Sequence, residues 1–131
     1  MIVFTCVDNN NGMLFNNRRQ SKDLAITNKI KDIILGNDIF LSEYSQTILP
    51  EGKVNHNLLE CEGFVFIEDP VHFVEEKIEQ LYIFKWNRNY PSDKKFNVNL
   101  SNFSLISTED FTGNSHDCIT LEIYKRKEMT L

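Results

Sequence analysis

Three short apolar runs constrain this chain most: residues 2–7 (IVFTCV), 63–67 (GFVFI) and 81–86 (LYIFKW). Each is the length of a strand, rich in β-branched and aromatic residues, and bounded by turn-forming or polar positions. The second is continuously apolar between Gly63 and the break at Glu68, Asp69 and Pro70, a pattern that predicts a central strand covered on both faces. Strands of this kind belong to a sheet with helices laid over it.

A helix is predicted from Ser21 or Lys22 to about Leu35. Leu24, Ile26, Ile30, Ile33 and Ile34 form its apolar stripe, with Ser21 as N-cap, Asp23 in the first turn facing the helix dipole, and Gly36 as its stop. Residues 38–41 read as another strand, 42–49 as a short helix or turn closed by Pro50, and 71–80 as a short helix. The polar segment 51–62 carries no clear pattern, and 87–95 reads as a long polar connection. Residues 103–108 and 119–125 read as an antiparallel closing pair around the loop 109–118. In the last run Ile119, Leu121 and Ile123 alternate with Thr120, Glu122 and Tyr124, which leaves one face more polar. The expected architecture is α/β: three layers, a mainly parallel central sheet and an antiparallel C-terminal strand.

A length of 131 residues suits one domain with a single core. A net charge of −5 argues against a general attraction to nucleic-acid backbones or anionic membranes. Cys6, Cys61 and Cys118 are odd in number, without a C-x-x-C pair, which points to reduced thiols rather than a disulfide framework or zinc ribbon. The N-terminal run lacks a basic leader and is too short to span a bilayer, so a cytoplasmic protein is expected.

The stretch 8–24 stands out as a site because it follows the first strand and precedes the first helix. Arg18 and Arg19, among Asn16, Asn17 and Gln20, suit a carboxylate or phosphate; the alternative is pairing with acidic side chains of the same fold. Trp86, Arg88 and Tyr90 suggest an exposed aromatic and cationic patch, against the alternative that Trp86 caps a core edge. Ser115, His116 and Asp117 are chain neighbours and cannot all face one reacting atom, so Ser115 reads as a loop-to-loop hydrogen-bond partner. Glu60, Glu62, Glu68, Asp69, Glu75 and Glu76 form an acidic face or a solvated surface.

Taken in order, these pieces resemble a shortened dihydrofolate reductase. The opening strand followed by Asn11, Gly12 and Met13 is similar to that family's first strand and substrate-side loop. Asp23 followed by Leu24 resembles its acidic residue at the head of the first helix. Leu81, Tyr82 and Ile83 resemble its Leu-Tyr-Leu strand, and Ser92, Asp93 and Phe96 its next loop. Residues 114–116 and 121–126 look like its last loop and closing strand. The resemblance implies a pterin-type site in which Asp23 is a buried general acid; the alternative is an ordinary helix-start carboxylate.

The departures fall on the cofactor side. Glu68 and Asp69 stand where the family has a Gly-Gly pair that lets phosphates approach, and two carboxylates there repel a pyrophosphate. Leu41, Ser42, Glu43 and Tyr44 replace its Gly-Arg-x-Thr, the stretch 50–62 is shorter, the Pro-Trp of the first loop is missing, and Phe84 stands in place of a threonine. The combination of residues 12–21, Trp86 to Arg88 with Tyr90 and Pro91, and Ser115 with His116 also resembles small bacterial proteins labelled ribonuclease Z. That activity needs clustered metal ligands, whereas His56, His72 and His116 are scattered singly.

The expectation is therefore a reductase-like protein without a cofactor, NADPH included, and without a metal. It would be a monomer or homodimer that binds a small anionic or heterocyclic ligand, or a protein partner. Asn17, Arg18, Arg19, Gln20, Trp86, Arg88, Tyr90, Ser115 and His116 would form the site, with Asp23 beside them. A minimal heterocycle reductase using Asp23 as proton donor and a pure interaction module are the alternatives.

Overall fold

In the computed structural model, which describes residues 1–127, the first apolar run becomes β1 (Ile2–Val7) and takes the centre of the sheet. It pairs in parallel with β6 (Phe64–Phe66) on one side and β7 (Gln80–Lys85) on the other. Outside β6 lie β4 (Ile39–Leu41) and then β5 (Lys53–Val54), both parallel to their neighbours. Outside β7 lie β10 (Ile119–Arg126) and β9 (Phe103–Phe111), paired antiparallel. The seven-stranded order is β5-β4-β6-β1-β7-β10-β9. The fold is thus α/β with a mainly parallel sheet and an antiparallel C-terminal strand, as the pattern predicts, and the run 63–67 is an interior strand flanked by β4 and β1.

Alternate side chains of the central strands enter two cores. Phe4, Phe66 and Phe84 meet Ile26, Ile30 and Ile34 of α1 (Leu24–Ile34) on one face. Val3, Val65, Leu81 and Ile83 pack on the other face with Leu58, Ile78, Val98 and Phe103. Each fully buried Phe, Leu or Ile contributes roughly 1.5–3 kcal/mol relative to exposure, so both cores matter. Their covers differ: α1 lies on the first, whereas irregular chain and 3₁₀ turns at Leu58–Glu60, Pro70–His72 and Glu75–Lys77 lie over the second. No helix among the described residues is long and apolar enough to cross a membrane.

Several local expectations need correction. The helix expected over 71–80 is two 3₁₀ turns, because the Asp69 carboxylate accepts from the Val71 N–H at 3.1 Å and starts a tight turn at Pro70. Helix α1 begins later than expected, with Asp23 and not Ser21 as its cap: Asp23 is extended, and its Oδ1 accepts from the Ala25 N–H at 2.9 Å. The helix ends at Leu35 in the left-handed region, φ 49°, and Leu24 faces outward at 59% exposure. The segment 42–49, by contrast, holds the short helix the pattern allows, α2 (Glu43–Gln46), capped by Ser42.

The stretch 8–24 is not a loop. It folds as a hairpin of β2 (Gly12–Phe15) and β3 (Arg18–Arg19), turned by Asn16 and Asn17 at φ 51° and 60°, left-handed values that asparagine tolerates well. The polar connection 87–95 contributes β8 (Lys94–Lys95), which pairs with β2 to complete a small sheet of order β3-β2-β8. This second sheet stands at the C-terminal end of β1 and forms one wall of the site.

Candidate functional site

The wall is held by Asp8, the residue that follows β1. Its buried carboxylate accepts from the N–H groups of Asn10 at 2.9 Å, Gly12 at 2.7 Å and Tyr90 at 3.0 Å, and from the Gln20 amide at 3.1 Å. Burial raises its affinity for a proton, but these donors outweigh it and hold the carboxyl below the usual range. One side chain thereby fastens the hairpin to the segment carrying Trp86 and Tyr90. A β-carbon on Gly12 would stand only 2.7 Å from that of Ser92, so glycine is required where the two segments cross.

Beside α1, Asp23 organises a second network. Its side chain has no exposed surface. Oδ1 accepts from Ala25 N–H and, at 2.8 Å, Asn114 N–H; Oδ2 accepts from Ser115 N–H at 2.9 Å and meets Ser115 Oγ at 3.2 Å. His116 Nδ1 lies 2.9 Å from the same Oδ2. Desolvation pushes this carboxyl up, yet the N–H donors of Asn114, Ser115, His116 and Ala25 hold it far below the usual range, so it is an anion. Gly113 is part of the arrangement, since a β-carbon there would meet Asp23 Oδ2 at 2.5 Å.

His116 is 4% exposed, and its ring stacks on the Trp86 indole at a centroid distance of 4.7 Å. Because an ionised carboxylate only accepts, Nδ1 carries a proton directed at Asp23. In the neutral ring, Nε2 then presents its lone pair to two hydroxyls, Ser21 Oγ at 3.1 Å and Tyr90 Oη at 3.1 Å.

A different pair sits across the site. Arg19 donates Nε–H to Glu68 at 2.8 Å and a second N–H to its other oxygen at 3.0 Å. The same guanidinium bonds the Tyr44 carbonyl and Thr47 Oγ1 and lies 4.1 Å from the Tyr44 ring centroid. Cys6 adjoins this pair, and burial pushes its thiol well above the ordinary range.

A cavity of about 450 Å³ is lined by both networks: Arg19 and Glu68 belong to its wall, as do Ser21, Asp23 and Ser115. Much of the remaining wall is apolar, from Met13, Leu24, Ile26, Ile48, Phe66 and Trp86. This volume and composition suit a small organic molecule with a few fixed polar contacts.

The structure gathers Arg19, Gln20, Asp23, Trp86 and Ser115 on the cavity wall, with His116 and Tyr90 joined to them through hydrogen bonds. It leaves Asn17, Arg18 and Arg88 exposed. Asn17 is at the hairpin turn, Arg18 borders a separate surface depression with Tyr90 and Pro91, and Arg88 contributes its carbonyl to Asn9. The exposed aromatic patch is corrected: Trp86 is 4% exposed, because its indole is the stacking surface for His116. The arginine pair is split, since alternation along β3 points Arg19 to Glu68 and Arg18 to solvent. Glu68 and Asp69 are not bare carboxylates, for Lys94 lies 3.2 Å from Asp69.

Asp8 and Ser21 lie inside the stretch 8–24 but are not individually marked by the sequence, and neither Glu68 as the partner of Arg19 nor Thr47 is legible there. For Ser21 a signal existed, the spacing Ser21-Lys22-Asp23 just before a helix, but helix capping explains the same pattern. Ser115 does bridge two loops, through the Lys22 carbonyl and Asp23.

No family model and no curated protein matches the chain. Among solved structures, it is similar to dihydrofolate reductase from Enterococcus faecalis, complexed with NADP(H) and RAB-propyl, with a TM-score of 0.72, 13% identity, and coverage of 97% of this chain and 96% of that one. The strand order, the antiparallel C-terminal pair and this near-complete superposition lead to one conclusion: the chain has the fold of a dihydrofolate reductase.

Proposed function

We propose that this protein binds a small, flat, uncharged heterocyclic molecule in the 450 Å³ cavity, and that it does so without NADPH. The observation that carries the reading is the closed Arg19–Glu68 pair: the cavity's guanidinium already holds a carboxylate through two hydrogen bonds. An anionic ligand would have to displace Glu68, whereas a neutral ring can use the apolar wall with Gln20 and Ser21 at its polar edge. At the end of β6, where a reductase of this fold would receive phosphates, Glu68 and Asp69 already occupy Arg19 and Lys94, so those cations are not free to bind phosphate. For a reductase using Asp23 as its acid, the geometry offers no support, since the carboxylate is buried, ionised and already fully hydrogen-bonded.

Thermal denaturation against a panel of neutral heterocycles, anionic metabolites and NADPH tests this. Neutral ring compounds should raise the melting temperature, by about 2.7 kcal/mol of added stability at a hundredfold excess over Kd, and millimolar NADPH should not. Leu24→Trp, placed at an exposed helix position on the cavity wall, should abolish the shift while the unliganded protein melts as before. A shift from NADPH alone would overturn the reading.

A further inference from the structure

We propose that Ser21, His116 and Asp23 form an acyl-transfer relay that cleaves small uncharged esters in the cavity. The three residues come from two places: Ser21 and Asp23 from the segment between β3 and α1, and His116 from the turn before β10. They are nevertheless linked in the order nucleophile, base and orienting acid, with Ser21 Oγ 3.1 Å from Nε2 and Asp23 Oδ2 2.9 Å from Nδ1. Asp23 fixes the tautomer that leaves Nε2 basic, and the Trp86 stack fixes the ring plane. Ser21 lines the cavity while His116 is buried behind it, so a ligand meets the hydroxyl first. This is the arrangement nucleophilic serine catalysis needs, a hydroxyl within reach of a base that a third group orients.

The step balances without any cofactor. Ser21 Oγ bonds to the ester carbonyl carbon as its proton passes to His116 Nε2 and the carbonyl electron pair moves onto oxygen. The C–O bond to the alcohol then breaks, and the alcohol leaves with the proton from Nε2. Water repeats the sequence on the acyl-serine, releasing a carboxylic acid and restoring Ser21. Lys22 and Asn114 lie on the same wall, and their ammonium and side-chain amide are the donors the relay would offer a developing oxyanion. Tyr90 Oη shares Nε2 with Ser21 and can hold the base when Ser21 is acylated. The apolar wall selects a flat, uncharged acyl or alcohol group, so the substrate class rests on the binding reading above.

Labelling the full chain with a fluorophosphonate, followed by peptide mass spectrometry, decides the matter. The expected result is one adduct, on Ser21, lost in Ser21→Ala, retained in Ser107→Ala on the exposed strand β9, and slowed about a hundredfold or more in His116→Gln. Urea-unfolded wild-type protein should lose the labelling, which separates activation by the fold from an intrinsically reactive serine even if His116→Gln fails to fold. No adduct on Ser21 of the folded protein would overturn the proposal, as would an adduct formed equally fast in unfolded protein. Thermal shifts from neutral heterocycles without labelling would leave the binding reading standing and remove the relay.

Discussion

The two ends of the cavity each hold a carboxylate against a nitrogen base, and they are built to opposite effect. At the Arg19–Glu68 end, a fork of N–H groups meets both oxygens, and the remaining contacts go to Tyr44 and Thr47. Charge is cancelled there. At the Asp23–His116 end the carboxylate is saturated too, but the base it orients keeps one nitrogen directed at hydroxyls, of which Ser21 faces the cavity. The first pair closes a surface and the second transmits a proton-accepting position to it. A guanidinium has donors only and cannot exchange protons near neutrality, whereas an imidazole has one nitrogen for each task.

Removing the acid at each end is the sharpest way to break this comparison. Asp23→Ala should cost the most, about 3–4 kcal/mol in urea denaturation, because it strands a buried imidazole and the N–H groups of Ala25, Asn114 and Ser115 without an acceptor. Arg19→Ala should cost about 2 kcal/mol, since Glu68 is nearly buried and would lose its partner. Replacing both members, Arg19→Met with Glu68→Leu, should cost less than the sum of the single changes and leave Ser21 labelling intact. If the double change instead abolished labelling, the two ends would be coupled and the contrast would fail.

Acid provides the smallest and most graded effect. Asp8 and Asp23 both titrate below the ordinary aspartate value of 3.8, so as pH falls the unfolded chain takes up protons first. Their stabilisation is complete above that value and declines as the pH drops toward the folded values, by at most about 1.4 kcal/mol per pH unit for each group. Urea midpoints measured from pH 5 downward should fall for the wild type and fall less steeply for Asp23→Asn. An unchanged slope would mean that Asp23 does not titrate with folding.

Much of the sheet was legible because its strands announce themselves locally. The run at 63–67 is continuously apolar and those at 2–7 and 81–86 are nearly so, broken only by Thr5, Tyr82 and Lys85, as strands covered on both faces tend to be. The run 119–125 alternates because β10 has one less buried face. The hairpin at 12–19 was not legible: Asn-Asn turns are permitted by left-handed backbone values, but the flanking residues Asn10, Asn11, Asn16 to Arg19 are polar, and polarity reads as loop. The segment 71–80 failed the other way, its composition favouring a helix that Pro70 and the Asp69 turn replace.

The same division holds at the site. Asp23, Ser115 and His116 were recognisable as chemistry-bearing residues, and Arg19 as a residue that would take either a ligand or an internal carboxylate. What the sequence determined by itself was the order of strands and helix, and the presence near each strand end of polar side chains with work to do. Which of them meet was decided by tertiary structure alone. Ser21 and His116 are 95 positions apart, as Arg19 and Glu68 are 49 apart, and a hydrogen bond depends on distances of about 3 Å that only the packing of β1, β6, β7 and β10 sets. The N–H groups that packing brings onto Asp23 then turn those distances into chemistry, holding Asp23 ionised against its burial and His116 in one tautomer, and no local pattern encodes that.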